Sequence, residues 1–198
     1  MTKPKASRPA VFLDRDGTLI EDVGYLADPS KVRVYRGAAP ALRALRLAGY
    51  LLFVVTNQSG VARGYFPEST VKKVHRLLQA RLKAQGARID GFYYCPHYPG
   101  APIKAYAKVC SCRKPKPGMV RQALKSFSVD LKRSYMVGDK LDDLHLASRA
   151  GMAGAYLVRT GNGRRSEREV KKLREKFPVV QGLAQAASAI LSKKARVK

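Results

Sequence analysis

Ala10-Val-Phe-Leu13-Asp14-Arg-Asp16-Gly-Thr-Leu19 decides the reading of this chain. Four apolar residues make a run of the length a buried strand uses. Two aspartates follow at once, two positions apart, and Gly17 lets the backbone turn away behind them. Working outward, the same alternation recurs. Ala38 to Ala48 has helical spacing (Leu42, Leu45) and ends at Gly49, and Tyr50 to Val55 reads as a second strand. Glu68 to Ala84 is a helix with Val71, Val74, Leu77, Leu78 and Leu82 on one face, and Ile89 to Tyr94 a third strand. An irregular Pro/Gly-rich loop runs from Cys95 to Pro117. Beyond it lie a helix Gly118–Ser126, a strand Ser134–Val137, a helix Leu141–Ala150, a strand Ala153–Val158, and helices Ser166–Lys176 and Leu183–Leu191. Strands separated by helices of this length imply parallel βαβ units in a doubly wound α/β sheet with helices on both faces. No repeat or Pro/Ser-rich linker divides the chain, so residues 1–198 are expected to form one domain.

Composition sets the bounds. The 198 residues are 45% hydrophobic, enough for a core covering about 70% of the surface the unfolded chain exposes. Apolar runs such as Leu51 to Val55 are too short to span a bilayer. The leading MTKPKASRP is basic, with no apolar stretch before the first strand, so the expectation is a cytoplasmic protein without a secretory signal or membrane insertion. The three cysteines lie between positions 95 and 112. An odd, clustered set argues for a metal site over a disulfide framework. Lys and Arg number 39 against 14 Asp and Glu, a formal net charge of +25. That field attracts polyanions non-specifically, but it is spread along the chain, and the only separate basic segment is the tail 193–198.

The scarce acids are more informative. Asp14, Asp16, Glu21, Asp22, Asp139, Asp142 and Asp143 are half of the fourteen and occupy two short segments. Ligands of doubly wound sheets bind outside the carboxyl ends of the strands. Those ends carry Asp14-Arg-Asp16, Thr56-Asn57-Gln58-Ser59, Cys95-Pro-His97 and Gly138-Asp139-Lys140. The Asp14 side chain, the Asp16 backbone carbonyl and the Asp139 side chain form an oxygen set suited to Mg²⁺. Two functional readings follow: simple cation binding, or an aspartyl nucleophile attacking phosphorus beside the cation. Strand-end capping is the plain alternative for Asp14 and Asp16, and an acid at a second strand tip weighs against it. Thr56 and Asn57 have donors for phosphate oxygens, and Lys114 and Arg113, just ahead of a helix, are cations of the kind that hold phosphate.

Together, Asp14-Arg-Asp16-Gly-Thr-Leu, Thr56-Asn-Gln, Lys114 and Gly138-Asp139 with Asp142-Asp143 resemble the four-part pattern of the haloacid dehalogenase (HAD)-type phosphatases. The resemblance covers nearly the whole chain and implies a Rossmann-like HAD fold. It further implies that Asp14 becomes phosphorylated and that Asp16 protonates the leaving oxygen and then activates water. Thr56 and Lys114 would hold the phosphoryl group, Asp14, Asp16 and Asp139 would bind Mg²⁺, and Asp143 would steady the metal site. No long insertion follows Asp16 or separates Thr56 from Lys114 apart from the cysteine loop, so the fold is expected to be capless.

That loop narrows the branch. Cys95-Pro-His97 and Cys110-Ser-Cys112 supply four nitrogen and sulfur ligands, the donor set of a closed structural Zn²⁺ site. Arg113 and Lys114 follow directly, so zinc would pin the loop and aim both cations at phosphate. His75 and His145 fall on helices and read as ordinary packing or surface residues. A zinc loop of this kind resembles two branches of the superfamily, the heptose 1,7-bisphosphate phosphatases of lipopolysaccharide-precursor synthesis and histidinol-phosphate phosphatase. The long loop and Asp22-Val-Gly-Tyr25 favour the first. By that resemblance Asp22, Gly24 and Tyr25 would touch a phosphorylated sugar, and Asn57, Gln58, Ser59, Arg113 and Lys140 would reach its hydroxyls or the phosphate that is kept. The protein is expected to act as a monomer. Polynucleotide 3′-phosphatases share the Asp-x-Asp and Thr-Asn-Gln patterns but not the zinc loop. A non-enzymatic, zinc-stabilised nucleic-acid-binding module would have to use Tyr93, Tyr94, Tyr98 and Tyr106 as stacking platforms.

Overall fold

The computed structural model describes residues 6–195. Six parallel strands form one sheet: β1 (Arg8–Leu13), β2 (Leu51–Asn57), β3 (Gly91–Cys95), β4 (Val129–Gly138), β5 (Gly154–Val158) and β6 (Val179–Val180), in the spatial order β3-β2-β1-β4-β5-β6. The helices are α1 (Ala38–Leu47), α2 (Glu68–Lys83), α3 (Gly118–Ser126), α4 (Leu141–Ala150), α5 (Gly163–Lys172) and α6 (Leu183–Ala195).

Successive side chains of a strand point to opposite faces, and the central strands are apolar on both. Val11, Leu13, Leu52 and Val54 bury against Leu42 and Leu45 of α1, Val74, Leu78 and Leu82 of α2, and Leu183 and Ile190 of α6. Ala10, Phe12, Phe53 and Val55 bury against Met119 and Val120 of α3, Leu144 and Leu146 of α4, and Val170 of α5. Helices therefore cover both faces of the sheet, the doubly wound α/β arrangement that the strand–helix alternation predicts.

Four elements differ from the sequence-based expectation, among them α6, which runs on from the expected Leu191 to Ala195. β4 starts at Val129, five residues early, and its pairing with β1 shifts register between Pro9 and Val11. There the Ser134 hydroxyl accepts the Ala10 N–H at 2.8 Å, standing in for a backbone carbonyl. β6 has only two residues, too short to leave a pattern. α5 begins at Gly163 and stops at Lys172, because Arg174 is left-handed (φ 55°). Of the basic tail, Lys193 and Lys194 lie in α6, with Lys194 over the Tyr50 ring, and 196–198 lie outside the described residues.

The strand order reverses direction between β1 and β4, which places the two acidic tips, Asp14 and Asp139, side by side at the switch point where such sheets bind ligands.

Candidate active site

Asp14 follows β1 directly, and its N–H donates to Val137 O of β4 at 2.9 Å, which ties the two strand ends together. Asp14, Asp139 and Asp143 are all buried, and one carboxylate oxygen of each lies within 4.8 Å of the others. Lys114, also buried, reaches into this group from the loop before α3. Its Nζ lies 2.8 Å from Asp14 Oδ1 and 2.6 Å from Asp143 Oδ1, and donates to Val55 O at 2.9 Å. All three ammonium protons are thereby engaged.

Electrostatics separates the three acids. Burial works to raise Asp14, but the Lys114 and Lys140 ammoniums prevail and hold its carboxyl below the usual range. Burial, reinforced by the charge on Asp14, pushes Asp139 up to about 8. Burial pushes Asp143 up to about 6 against the pull of Lys114. Lys114 itself is raised: burial opposes its charge, and Asp14 and Asp143 outweigh it. An ionised carboxylate beside one that retains a proton near neutrality is a set of groups short of positive charge.

The donor set fits a divalent cation. Asp139 Oδ1 is buried without a hydrogen-bond partner, and a buried acceptor in that state calls for an ion or water. Space is kept for it by glycines. A Cβ on Gly17 (φ 82°) or Gly161 (φ 55°) would sit 2.3 Å or 2.5 Å from Asp139 Oδ2. Three carboxylates and no sulfur or nitrogen suit a hard cation such as Mg²⁺.

Asp16 stands apart from this cluster, with its carboxylate tied by neighbours. Arg15, wholly buried, grips it bidentately at 2.9–3.2 Å, and Gln58 Nε2 donates to its Oδ2 at 2.9 Å. The same Gln58 Nε2 lies 2.9 Å from Thr56 Oγ1, and Gln58 Oε1 accepts from Arg15 at 2.9 Å. Asn57 closes another link, accepting from Lys114 N at 3.0 Å and donating to Lys114 O at 3.3 Å. Both ends of the Asn57 amide thus hold the lysine's backbone, with one amide proton left over for a ligand.

A cleft of about 340 Å³ opens beside Asp16, Asn57 and Gln58. Asp16, Asp22, Gly24, Tyr25, Asn57, Gln58, Ser59, Arg113 and Lys140 all line it, so the structure brings every residue expected at the substrate together around one opening. Asp22 pairs with Lys140 at 3.5 Å and accepts the Gly24 N–H at 2.8 Å. Tyr25, half-exposed at the rim, packs edge-on to Tyr65 with ring centroids 4.5 Å apart. Leu26, Gly60, Phe66 and Asp142 complete the wall and carry no expected role at the substrate.

The cysteine loop folds back on the end of β3. Cys95, His97, Cys110 and Cys112 offer donor atoms within 4.8 Å of one another, with S···S separations of 3.2–3.5 Å and His97 Nδ1 3.3 Å from Cys112 Sγ. None is disulfide-bonded. Three thiols and an imidazole at this spacing fit a tetrahedral Zn²⁺ site. Arg113 donates to His97 O at 3.4 Å and lies 5.0 Å from the centre of the Tyr98 ring, so the loop fixes this cation at the cleft wall. The four tyrosines are engaged within the fold: Tyr98 lies beneath Arg63 and Arg113, Tyr106 packs on His97 and donates to Glu68, Tyr93 packs on Phe53, and Tyr94 packs on His75. His75 is buried against Phe92, and His145 bonds Glu175 at 2.9 Å, both outside the site.

Two residues at the site escaped the sequence reading. Arg15 is the middle of the Asp-x-Asp motif, where the residue type carries no signal on its own. Asn162, at the start of α5, donates to Asp139 Oδ2 from its backbone N–H at 2.7 Å and to Asp22 Oδ2 from its side chain at 2.6 Å. It follows the end of β5, so the strand-end rule applied to that strand finds it.

Comparison with known proteins adds the following. A family model described as HAD-hydrolase-like matches residues 111–186. The D-glycero-beta-D-manno-heptose-1,7-bisphosphate 7-phosphatase of Haemophilus ducreyi is 47% identical over 165 residues, covering 83% of this chain and 90% of the relative. The enzyme of the same name from Escherichia coli K12 is 43% identical over 155 residues, 78% of this chain and 81% of its own. Among solved structures, D,D-heptose 1.7-bisphosphate phosphatase from B. bronchiseptica, complexed with magnesium and phosphate, matches with a TM-score of 0.81 at 34% identity, over 93% of this chain and 99% of that one.

Proposed function

The chain belongs to the D-glycero-beta-D-manno-heptose-1,7-bisphosphate 7-phosphatase family of HAD-type phosphatases, and from that membership we propose that it removes the 7-phosphate of heptose 1,7-bisphosphate through a phosphoaspartate on Asp14. The observation that carries the reading is the buried group at the switch point. It consists of an ionised Asp14, bound by Lys114, next to Asp139 with an unpartnered oxygen.

A carboxylate attacks without first losing a proton, which a serine could not do at neutral pH. Asp14 attacks phosphorus as the bond to the sugar C7 oxygen breaks, and Asp16 delivers a proton to that oxygen. Asp16 then takes a proton from water, which attacks the phosphoaspartate and frees Asp14 and inorganic phosphate. Thr56 and Lys114 hold the transferred oxygens, and Lys114 does so by turning its Asp14-directed proton to the incoming group. Asp14, the Asp16 carbonyl and Asp139 would hold Mg²⁺, which when bound neutralises charge on the phosphoryl group. Asp143 anchors Lys114 from behind. Asp22, Gly24, Tyr25 and Ser59 face the sugar, while the half-buried Arg113 and the exposed Lys140 are the cations for the 1-phosphate that stays. Cys95, His97, Cys110 and Cys112 would hold a structural Zn²⁺ that keeps Arg113 in place.

No helix among the described residues is long and apolar enough to cross a membrane. We propose action as a monomer, and a phosphorylated precursor as substrate supports a cytoplasmic location. Phosphate release is measured with Mg²⁺ on heptose 1,7-bisphosphate, histidinol phosphate and a 3′-phosphorylated oligonucleotide. The expected result is a large kcat/KM preference for the bisphosphate, abolished by Asp14→Asn. Faster turnover of histidinol phosphate or of the oligonucleotide overturns the assignment.

A further inference from the structure

Arg15 is the largest fully buried side chain, yet the reading above gives it no task. A buried guanidinium is retained only where its charge and protons are used. Here two of its three nitrogens are used on two members of the proposed machinery at once, while Nη1 is buried without a partner. Nε and one terminal nitrogen grip both oxygens of Asp16, and that same terminal nitrogen donates to Gln58 Oε1 at 2.9 Å.

The second contact fixes the polarity of a hydrogen-bond chain. An arginine can only donate, so the Gln58 atom facing it must be the carbonyl oxygen, and the amide nitrogen must face the other way. That nitrogen has two protons and two neighbours, Asp16 Oδ2 and Thr56 Oγ1, each at 2.9 Å. The Asp16 carboxylate is an acceptor, and Thr56 Oγ1, already receiving a proton from Gln58, keeps its own hydrogen free to donate. The direction of donation is set in sequence, from Arg15 to Gln58 and from Gln58 to Thr56. With Gln58 reversed, Thr56 would have to donate back to the amide oxygen and would present only lone pairs to an anionic phosphoryl group. Gln58, although it lines the cleft, has both ends of its amide committed inside this chain.

We propose that Arg15 is a positioning residue that aims the Asp16 carboxylate at the cleft by direct contact and, acting through Gln58, holds the Thr56 hydroxyl as a hydrogen-bond donor. The inference rests on the acid/base role of Asp16 and the phosphoryl-binding role of Thr56 proposed above. Neither Arg15 nor Gln58 touches the reacting atoms. Their removal should damage the steps in which Asp16 and Thr56 act and leave nucleophilic attack by Asp14 intact.

The test is the dependence of kcat/KM on the leaving group. It uses phosphomonoesters that run from nitrophenyl, whose oxygen departs without a proton, to simple alkyl, whose oxygen needs one. Arg15→Lys keeps the charge but loses the fork, and Gln58→Met keeps the shape but loses the amide. Each should lower kcat/KM on alkyl esters by about 100-fold, the lower range for a misplaced general acid. On nitrophenyl phosphate the loss should be about tenfold or less, reflecting Thr56 alone. With Asp16→Asn as background, Arg15→Lys should add only that smaller loss. Thermal unfolding verifies that each variant is folded, and whichever of the two folds carries the test. An equal loss across all leaving groups, or no loss, overturns the positioning role while Asp16→Asn still shows its steep leaving-group response. A flat response in Asp16→Asn itself would instead overturn the acid/base reading, and this inference with it.

Discussion

Lys114→Met removes one buried ammonium and keeps most of the volume, so its effect is electrostatic. In the structure that ammonium lies 2.8 Å from Asp14 and 2.6 Å from Asp143, fully out of solvent. Deleting one partner of a buried ion pair leaves an uncompensated charge and destabilises by about 3–5 kcal/mol. For a chain of this length that is a fall in Tm of roughly 6–20 °C. The carboxylates can relieve the imbalance by binding protons, which gives the loss a pH dependence. Asp139 already sits at about 8, above its unfolded value of 3.8. The native state therefore holds a proton that the unfolded chain releases, and its stability falls as pH rises through that window. Without Lys114, Asp14 joins that behaviour, and Asp143, already raised to about 6 by burial, moves further in the same direction. The loss should be near its full value at pH 8 and smaller at pH 5.5, and Mg²⁺ should restore part of it at pH 8 by replacing the missing positive charge. Urea unfolding of both proteins at the two pH values, with and without Mg²⁺, measures it. A loss under about 1 kcal/mol at pH 8, or one independent of pH, refutes the reasoning.

The wild-type protein should gain more in Tm from Mg²⁺ at pH 8 than at pH 6, because at the lower pH the cation must displace the proton on Asp139; equal gains would contradict its placement there. Gly17→Ala puts a Cβ 2.3 Å from Asp139 Oδ2 at a backbone angle that favours glycine, and should weaken Mg²⁺ binding, read by titration calorimetry, at least tenfold. Cys112→Ser should abolish zinc retention, read by metal analysis, and raise KM for the bisphosphate more than it lowers kcat, since Arg113 loses its anchor. His75 is pushed down to about 3 by burial and by the nearby Arg15 charge, so it stays neutral while the unfolded chain takes up a proton below pH 6.5. Its contribution is present above 6.5 and is lost as pH falls towards 3, by up to about 1.4 kcal/mol per unit, so His75→Phe should flatten the acid limb of a stability profile.

Which parts of this architecture are legible in the sequence follows from how far each feature acts along the chain. The acid pair after Leu13 and the acids after Gly138 are visible because a strand end and its polar tip are contiguous. The Cys95, His97, Cys110 and Cys112 group proposed to hold zinc is visible because cysteines are rare and their spacing is local. β4 is legible only from Ser134, since the exposed Lys132 and Arg133 ahead of it disguise a strand that starts at Val129. The contacts among the polar side chains are not legible at all. Nothing along the chain says that Asn57 holds the Lys114 backbone 57 positions away, or that Asn162 joins Asp22 to Asp139. Such contacts form when three strand tips converge, and they depend on register and rotamer. The acids behind the charge of +25 are unevenly placed. Six of the fourteen belong to the buried cluster and the cleft beside it, and four of the other eight are paired with cations, Asp90 with Arg46, Asp130 with Arg133, Glu167 with Arg159 and Lys171, and Glu169 with Arg165.

The central claim is that Asp14 becomes phosphorylated during turnover. The most direct measurement is rapid acid quenching of the Mg²⁺-loaded enzyme during hydrolysis of heptose 1,7-bisphosphate, followed by peptide mass spectrometry. The account predicts a phosphoryl mass increment on the peptide containing Asp14, appearing within one turnover and absent in Asp14→Asn. Steady hydrolysis with no increment on that peptide, or an increment on another residue, would contradict it.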